Sequence, residues 1–508
     1  MSLLVVLRLL GAFWVLMSGF LVFPLIAGVI LQESQVIYPF LTTILVGLSF
    51  FLFQFLIRRV VTRLSELTAK QKRLLPLGKG IIQRPKGVLT VRGGFLFVTL
   101  AWLGASALGA LPFYLSGSIP SYTSSYFETM SGFTTTGASI LTDIESLPRS
   151  MLLWRSITHW LGGMGIVVLT VALFPLLGVG GFHLVRAEAP GPTVDRITPR
   201  ITETAKLLWF IYLAMTVIQT LLLMAGGMDL IDSLIHTFGT LATGGFSSSN
   251  ASVGGFNSAY IHGVITVFMV MAGVNFTLYH RLFTGSIGSI TSNSEFKAYI
   301  TVFFVTAAII VGDLFVHRVY PTIGQSIQFG SFQAASIMTT TGYATADYDQ
   351  WPRVSRAVLF FLMFVGGSSG STGGGIKVIR LVILFKLAGL HLKKLLEPRG
   401  VFTLRMNGRP LQDESIEAIA GFVFFYVGIL LLLTGVVAFA GEDLLSSFSA
   451  ALATLGNIGP GFGSVGPTMN YAHFPPWLLW IFSFAMMLGR LEIYTVLVIF
   501  TPMFWRKS

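Results

Sequence analysis

Long apolar runs of about 20 residues or more recur along the chain, and shorter polar or glycine-containing stretches separate them. A helix of that length crosses the hydrocarbon core of a bilayer. The pattern therefore predicts an all-α polytopic membrane protein. The ten predicted spans are residues 3–31, 36–57, 93–116, 152–176, 206–226, 259–280, 297–317, 355–385, 416–440 and 476–504.

The composition excludes several other classes of protein. Charged residues make up 11% of the 508 positions and hydrophobic residues 54%, whereas a soluble chain has about 25% charged residues. Too little charge is therefore present to coat several soluble domains. The absence of Cys excludes a disulfide framework, a cysteine zinc site, an Fe–S cluster and a cysteine nucleophile. No paired carboxylates, His cluster with metal-ligand spacing or nucleophile triad stands out, so we expect no enzyme.

The positive charge is concentrated in two stretches between predicted spans. Residues 58–92 hold ten Lys or Arg and one acid, and residues 377–409 hold eight and one acid. Residues 227–258 and 441–474 hold no Lys or Arg. The positive-inside rule assigns the basic stretches to the cytoplasm, and ten spans then put both termini there. We therefore attribute the net charge of +12 to loops that contact the lipid bilayer or dock a partner, and expect no nucleic-acid partner.

Four connections on the predicted outer side share one layout, in which a short apolar stretch ends in a polar, glycine-containing tip. We call the tips tip 1 (131–139), tip 2 (241–247), tip 3 (339–344) and tip 4 (456–461). The glycines chosen as their centres are Gly137, Gly244, Gly342 and Gly459, and they recur about every 100 residues. A fixed period is the signature of a repeat architecture.

The period predicts two leading transmembrane helices followed by four pseudo-fourfold helix–pore-loop–helix repeats around one central pore. The expected units are residues 1–92 for the leading pair and its basic loop, then 93–181, 182–281, 282–400 and 401–508 for the four repeats. The third repeat contains the glycine-rich loop described below.

The chemistry of the tips favours a site for a monovalent cation. Non-helical backbone at membrane depth is tolerated only where it is buried in protein or lines a water-filled cavity. The tips offer carbonyl and hydroxyl oxygens without fixed charge, and a ring of carbonyls can replace the hydration shell of such an ion. Glycine permits the positive φ that such a turn needs. The alternative, an external loop with an ordinary glycine turn, would be favoured for one tip but not for four at one period.

A second glycine-rich segment interrupts the eighth predicted span. It holds six Gly in ten positions and consists of Gly366, Gly367, Ser368, Ser369, Gly370, Ser371, Thr372, Gly373, Gly374 and Gly375. Such a run cannot remain a rigid helix, and it lacks the Gly-Lys-Ser/Thr of a phosphate loop. Because a loop at this depth must border a cavity, we favour a mobile gate over a simple helix break with tight packing.

Arg490 lies within the last predicted span between apolar residues. A charge in that position must face a cavity or a partner. Glu492 is two residues away and does not share its helix face. Two roles therefore remain open for Arg490: a salt bridge to another helix, and a fixed positive charge beside an ion path.

Seven stretches together have the pattern of a known family. They are MSGFTTTGA (130–138), WRS (154–156), HWLGGMG (159–165), ATGGF (242–246), MTTTG (338–342), GGSSGSTGGGIK (366–377) and GRLE (489–492). Over essentially its whole length the chain resembles the TrkH-like potassium uptake proteins of the Trk/Ktr/HKT superfamily. The leading pair of helices is also typical of that branch.

The resemblance implies potassium uptake across the cytoplasmic (inner) membrane of a bacterium, with K+ as the transported ion and no organic cofactor in this chain. It implies a gate role for residues 366–375 and a pore barrier at Arg490. It also implies a homodimer and a cytoplasmic, nucleotide-binding regulatory subunit of the TrkA type. The expected filter residues are Thr135, Thr136, Gly137, Ala242, Thr243, Gly244, Thr340, Thr341, Gly342, Asn457, Ile458 and Gly459.

Two features qualify this assignment. Tip 4 has no Thr before its glycine, and Gly456 and Gly461 compete with Gly459 as its centre. Tip 1 has Gly137 where a Ser in the plant branch accompanies sodium preference, which favours potassium. A sodium- or proton-coupled cation symporter with mixed selectivity is the alternative function, although four parallel repeats and few intramembrane acids argue against it.

Overall fold

The computed structural model describes residues 3–73, 90–165, 201–283, 285 and 287–506. Three predictions therefore lie partly outside the described residues. They concern the basic stretch 58–92, the second half of the span 152–176 and the boundary between residues 181 and 182.

The first three helices form the leading pair. They are α1 (Leu3–Phe20), α2 (Val22–Ile30) and α3 (Ser34–Arg73). Leu9, Phe13 and Met17 lie four residues apart on α1 and are buried, as expected for the apolar face of a packed helix. Other large apolar side chains, such as Phe23 and Ile30, are exposed, which is the pattern of a surface in contact with lipid.

Four repeats follow, and in each of them one helix ends at a tip and lies between the spanning segments. Repeat 1 contains α4 (Val91–Gly109), α5 (Leu111–Leu115), α6 (Tyr122–Phe133) and α7 (Arg149–Gly163), and repeat 2 contains α8 (Ile201–Ala225), α9 (Leu230–Leu241), α10 (Ala259–Ala272) and α11 (Phe276–Phe283). After α12 (Ile287–Thr291), repeat 3 contains α13 (Ser294–Val316), α14 (Ile323–Met338), α15 (Arg353–Leu362) and α16 (Val378–Leu396).

A two-residue hairpin, β1 (Arg405–Met406) with β2 (Arg409–Pro410), precedes repeat 4. Repeat 4 contains α17 (Asp413–Phe439), α18 (Leu444–Leu455), α19 (Pro476–Arg490), α20 (Tyr494–Leu497) and α21 (Pro502–Trp505). The predicted all-α class and the order of two leading helices and four repeats are confirmed.

Six helical stretches in the described part of the chain are long and apolar enough to cross a membrane, and two of them combine consecutive helices, α1 with α2 and α4 with α5. They are Val5–Ile30, Ser34–Ile57, Val91–Leu115, Ala205–Ala225, Ser294–Val316 and Asp413–Phe439. The chain is a multi-pass membrane protein.

Two spans that we predicted as single helices are bent, which corrects the expectation from hydropathy. Helices α10 and α11 meet at 95°, and α19 meets the segment Tyr494–Phe500 at 111°. The predicted span 355–385 is divided into α15 and α16 by the glycine-rich segment, as its run of glycines indicated. Hydropathy does not reveal the two bends, because each pair of helices is apolar enough on average to count as one span.

Polar caps fix where the short helices begin. The side chains of Asp229, Thr322 and Asp443 accept hydrogen bonds from backbone N–H groups in the first turns of α9, α14 and α18. Caps of this kind satisfy N–H groups that have no partner within the helix. Each short helix then runs from its cap into the buried interior of the protein.

Two carboxylates cap the helices that follow the tips in repeats 1 and 3. Glu33 accepts hydrogen bonds from the backbone N–H groups of Arg149 and Ser150 at 2.8 and 3.1 Å. Asp313 accepts from the backbone N–H of Ser355 at 2.8 Å. Since Glu33 lies between α2 and α3, this cap joins the leading pair to repeat 1.

Candidate functional site

The four short helices that end at the tips are α6, α9, α14 and α18, and all four end in the same turn. The second residue after each helix has left-handed backbone, and these residues are Thr135 (φ 54°), Thr243 (φ 54°), Thr340 (φ 60°) and Asn457 (φ 54°). In tip 1 the N–H of Thr136 donates to the carbonyl of Ser131 at 2.9 Å, and the N–H of Thr135 donates to that of Gly132 at 3.0 Å, which is a Schellman motif.

The same pair of bonds closes α9, α14 and α18. Asn tolerates this conformation, but β-branched Thr adopts it only at a cost in strain. Three strained threonines at equivalent positions mark the tips as functional candidates.

The four tips form a closed ring. The glycine two positions after each left-handed residue also has positive φ, and these glycines are Gly137 (81°), Gly245 (81°), Gly342 (79°) and Gly459 (95°). Each lies against a backbone carbonyl of the next tip. A Cβ added to Gly137 would lie 2.1 Å from Gly244 O, one on Gly245 would lie 2.0 Å from Thr341 O, one on Gly342 2.1 Å from Ile458 O, and one on Gly459 2.6 Å from Thr136 O. The contacts run from tip 1 through tips 2, 3 and 4 back to tip 1.

The ring corrects the predicted register of tip 2 by one residue. The residues equivalent to Thr135-Thr136-Gly137 are Thr243-Gly244-Gly245, not Ala242-Thr243-Gly244. Ala242 is instead the C-cap of α9.

His159 explains why tip 2 has two adjacent glycines. A Cβ on Gly244 would lie 2.5 Å from the His159 ring. That ring contacts the Gly132 carbonyl through Nδ1 at 2.7 Å and accepts from the Phe246 N–H through Nε2 at 3.2 Å. This network assigns the ring proton to Nδ1.

Tip 4 fits the ring through Gly459. Of the two competing glycines, Gly456 is the C-cap of α18. A Cβ on Gly461 would meet Ser449 Oγ at 2.0 Å, outside the ring. The Gly459 carbonyl accepts a hydrogen bond from the Tyr471 hydroxyl at 2.9 Å. In all four tips, the carbonyl that contacts the neighbouring tip belongs to the residue directly before the ring glycine.

The side chains of the ring have lower symmetry than its backbone. The hydroxyls of Thr134 and Thr136 are 2.8 Å apart in tip 1, and those of Thr339 and Thr341 are 2.7 Å apart in tip 3. Tips 2 and 4 lack such pairs. Instead, Asn457 donates from Nδ2 to Thr136 Oγ1 at 3.0 Å and so links tip 4 to tip 1.

A buried ion pair outside the predicted set links tips 1 and 2. Arg155 Nε lies 2.7 Å from Glu128 Oε1, and both side chains are buried. Arg155 also donates to the Ser247 carbonyl at 3.1 Å, while Glu128 accepts from the Ile140 N–H at 2.9 Å. The sequence signal for this pair was the single acid of the first short helix, with one Arg early in the following span.

The four tips border one cavity. Its lining includes the ring glycines of all four tips, together with Arg155 and Tyr471. The hydroxyl of Tyr343 in tip 3 donates to the carbonyl of Phe246 in tip 2 at 3.2 Å, which is a further link between these two tips. One central axis therefore passes through the four repeats.

The glycine-rich segment contacts the ring at tips 3 and 4. The N–H of Gly374 donates to Thr340 Oγ1 at 2.6 Å, and a Cβ on Gly374 would lie 2.5 Å from the Gly456 carbonyl. On its other side the segment is held by repeat 2 and α13. The N–H of Ser368 donates to the Gly273 carbonyl at 2.8 Å, and that of Ser369 donates to a carboxylate oxygen of Glu295 at 2.6 Å.

Arg490 joins this segment to repeat 1. Its guanidinium donates to the carbonyl of Thr372 at 2.8 Å and to the carbonyls of Gly162 and Gly163 at 2.6 and 2.9 Å. The carboxylate of Glu492 pairs with Arg380 of α16. Arg490 thus lies between the glycine-rich segment and the C-terminal end of α7, beside the bend that follows α19.

Comparison with known proteins agrees with this geometry. A family model described as "TrkH: Cation transport protein" matches residues 81–309 and 299–507. The chain is 42% identical over 428 residues to the Trk system potassium uptake protein TrkH of Escherichia coli strain K12, a match that covers 84% of this chain and 88% of that protein.

Relatives from Vibrio parahaemolyticus match as well. The Trk system potassium uptake protein TrkH of that organism is 39% identical over 433 residues, covering 84% of this chain and 88% of that protein. The crystal structure of the potassium transporter TrkH from Vibrio parahaemolyticus matches 100% of both chains with a TM-score of 0.85 at 33% identity. These matches extend over most of the chain and agree with its four repeats and its ring of four tips, so the chain belongs to the TrkH family of cation transport proteins.

Proposed function

We propose that this protein takes up potassium through a selectivity filter formed by the four tips. The observation that carries the proposal is the closed ring of glycine-to-carbonyl contacts from tip 1 to tip 4 and back. Such a ring surrounds one axis with backbone and hydroxyl oxygens, and rings of this kind coordinate a dehydrated monovalent cation.

The surroundings of the ring favour a cation over an anion. The four short helices direct their C-terminal ends at it, and the C-terminal end of a helix carries partial negative charge. The four tips themselves contribute no charged side chain. Thr135 Oγ1 and Asn457 Oδ1 are buried without a hydrogen-bond partner among the described residues, so both oxygens are available to an ion or a water molecule.

The glycine-rich segment 366–375 is proposed as the gate below this filter. Its backbone contacts tips 3 and 4 on their inner side, and its glycines permit that approach. Arg490 has a double role in this proposal. It anchors the gate at Thr372, and its positive charge raises the energy of a cation just inside the filter.

The cellular setting follows from the family. We propose a homodimer in the bacterial inner membrane with both termini in the cytoplasm, regulated by a cytoplasmic, nucleotide-binding subunit of the TrkA type. The basic stretches 58–92 and 377–409 support this orientation through the positive-inside rule. The relatives are named as parts of a Trk system, which fits a protein that works with further components.

Ion uptake in a bacterial strain that lacks its own potassium uptake systems tests the function. Cells that express the protein should accumulate rubidium as a potassium tracer, and excess sodium should compete weakly. Uptake that requires an imposed sodium or proton gradient would favour the coupled symporter. Absence of tracer uptake by protein that is present in the membrane would contradict the proposal.

A further inference from the structure

The glycine-rich segment contacts the proposed filter through one hydroxyl. The N–H of Gly374 donates to Thr340 Oγ1 at 2.6 Å, and we call this contact the loop–filter bond. The same hydroxyl donates its proton to the carbonyl of Thr339 at 2.6 Å. A hydroxyl has one proton and two lone pairs, so the proton and one lone pair of Thr340 are in use.

Two other tips provide an internal comparison. Thr135 and Thr243 have the same left-handed backbone as Thr340, with φ of 54° in each. Thr243 donates to the carbonyl of Ala242 at 2.6 Å, just as Thr340 does to the residue before it. Thr135 Oγ1 has no hydrogen-bond partner in the described part of the chain. The loop–filter bond therefore distinguishes tip 3 from its equivalents.

The loop is brought to Thr340 by its own packing. A Cβ on Gly374 would lie 2.5 Å from the Gly456 carbonyl and 3.0 Å from Asn457 Cβ, so only glycine lets the backbone approach this closely. Arg490 holds the preceding turn of the loop through the carbonyl of Thr372. The bond to Thr340 is thus a directional contact between a segment held on repeats 2 and 4 and the ring itself.

We propose that Thr340 is a positioning residue that holds the gate closed and couples the gate to the filter. In the closed state the loop–filter bond occupies a lone pair of Thr340 Oγ1. Opening breaks this bond and moves the backbone of Gly374 away from the ring. This inference rests on the proposed function, since it assumes that the ring is a filter and the loop is a gate.

The test compares valine substitutions at two buried threonines, one in the ring and one outside it. Thr340→Val removes the hydroxyl but keeps the β-branched shape, and Thr434→Val does the same in α17, outside the ring and the loop. Thr340→Ser retains a hydroxyl. Purified protein without its partner is reconstituted in vesicles, and basal rubidium flux is measured together with thermal stability.

We expect Thr340→Val to raise basal flux about two- to tenfold, the range that corresponds to loss of one buried neutral hydrogen bond. Thr434→Val should not raise it, because the Thr434 hydroxyl bonds only within its own helix, to the carbonyl of Leu430. Thr340→Ser should raise it less than Thr340→Val does. An equal rise in both valine variants, or no difference between them, would overturn the proposal.

A second measurement does not depend on ion flux. The chain has no Cys, so Ser369→Cys supplies a single thiol on the loop. Ser369 is partly exposed and makes its bond to Glu295 through its backbone N–H, which the substitution keeps. The rate of modification by a thiol reagent should rise in the Thr340→Val background and not in the Thr434→Val background.

The two measurements separate the inference from the function on which it rests. Equal modification rates in both backgrounds would refute the loop–filter bond as a restraint on the loop, even if the protein transports rubidium. Faster modification only with Thr340→Val, in protein that carries no rubidium, would support the restraint and refute the proposed function.

Discussion

A side chain at a ring glycine should impair ion selectivity, and Gly137→Ser is the sharpest case. Its Cβ would lie 2.1 Å from Gly244 O, whereas ordinary contacts begin at 3.4 Å, so tip 1 must move away from tip 2 by more than 1 Å. A binding geometry tolerates errors of about 0.5 Å. The positive φ of 81° adds strain of about 1–2 kcal/mol for a residue with a Cβ.

Gly117→Ser is the matched control. Gly117 also has positive φ, at 72°, but a Cβ there would meet nothing within 4 Å. Both variants therefore have a similar backbone cost, and only Gly137→Ser disturbs the ring. The strain from positive φ should lower the thermal stability of both purified variants by a similar amount. Any further loss of stability in Gly137→Ser would come from its contact with tip 2.

Relative uptake of rubidium and sodium by reconstituted vesicles measures the effect. The preference for rubidium should fall about tenfold in Gly137→Ser, which corresponds to about 1.4 kcal/mol, and remain unchanged in Gly117→Ser. Gly245→Ser should resemble Gly137→Ser, because its Cβ would lie 2.0 Å from Thr341 O. Unchanged preference in folded Gly137→Ser and Gly245→Ser protein, or an equal loss in the control, would refute the filter assignment.

Four further predictions concern the gate, the charges and a helix cap. Deleting part of residues 366–375 should raise ion flux and reduce its dependence on the cytoplasmic partner; flux at the intact level in folded protein would favour simple packing. Arg490→Ala should raise maximal ion flux, since a unit charge about 8 Å from the ion raises the ion's energy by about 2 kcal/mol at an effective dielectric of about 20. Arg490→Lys should retain most of this barrier if charge alone matters. Loss of stability in both variants without a gain in flux would show that Arg490 has a structural role only. Glu128→Gln should lower the free energy of unfolding by about 3–5 kcal/mol, because it leaves the buried guanidinium of Arg155 without its counter-ion. Arg356→Gln breaks the more exposed pair with Asp349 and should lower it by at most about 1 kcal/mol. Equal losses in the two variants would contradict the role of burial. Hydrogen bonds from the first turn of α18, led by that of the Ser446 hydroxyl, lower the pKa of Asp443, so its charge stabilises the fold above the unfolded pKa of about 3.9. The stability difference between the original protein and Asp443→Asn, measured by thermal unfolding, should be present at neutral pH and shrink as the pH falls below that value towards the lower folded pKa; a difference that grows in acid would contradict the assignment.

The membrane class and the repeats were predictable because they depend on local pattern. An apolar run of sufficient length must be a helix in a bilayer, since the backbone has no other way to satisfy its hydrogen bonds there. Tips recurring about every 100 residues then imply repeated units around an axis. These features need no knowledge of which side chains meet.

The register of tip 2 was not predictable for the opposite reason. Gly244 and Gly245 are adjacent, and both are compatible with a turn. Packing distinguishes them: the ring of His159 takes the space beside Gly244, while Gly245 lies against the carbonyl of Thr341. Neither neighbour is close in sequence, so no local pattern could identify the ring glycine.

Hydrophobic length and periodicity constrain the chain locally, so the class of protein, its four repeats and the residue types at the tips follow from the amino-acid sequence. Which groups become partners depends instead on the tertiary structure. Arg490 contacts a carbonyl 118 residues away, and Gly374 contacts the hydroxyl of Thr340, 34 residues away. Glu492 pairs with Arg380, 112 residues away. A hydrogen bond or ion pair forms between groups only a few ångströms apart, and which groups come that close depends on how the repeats pack around the axis.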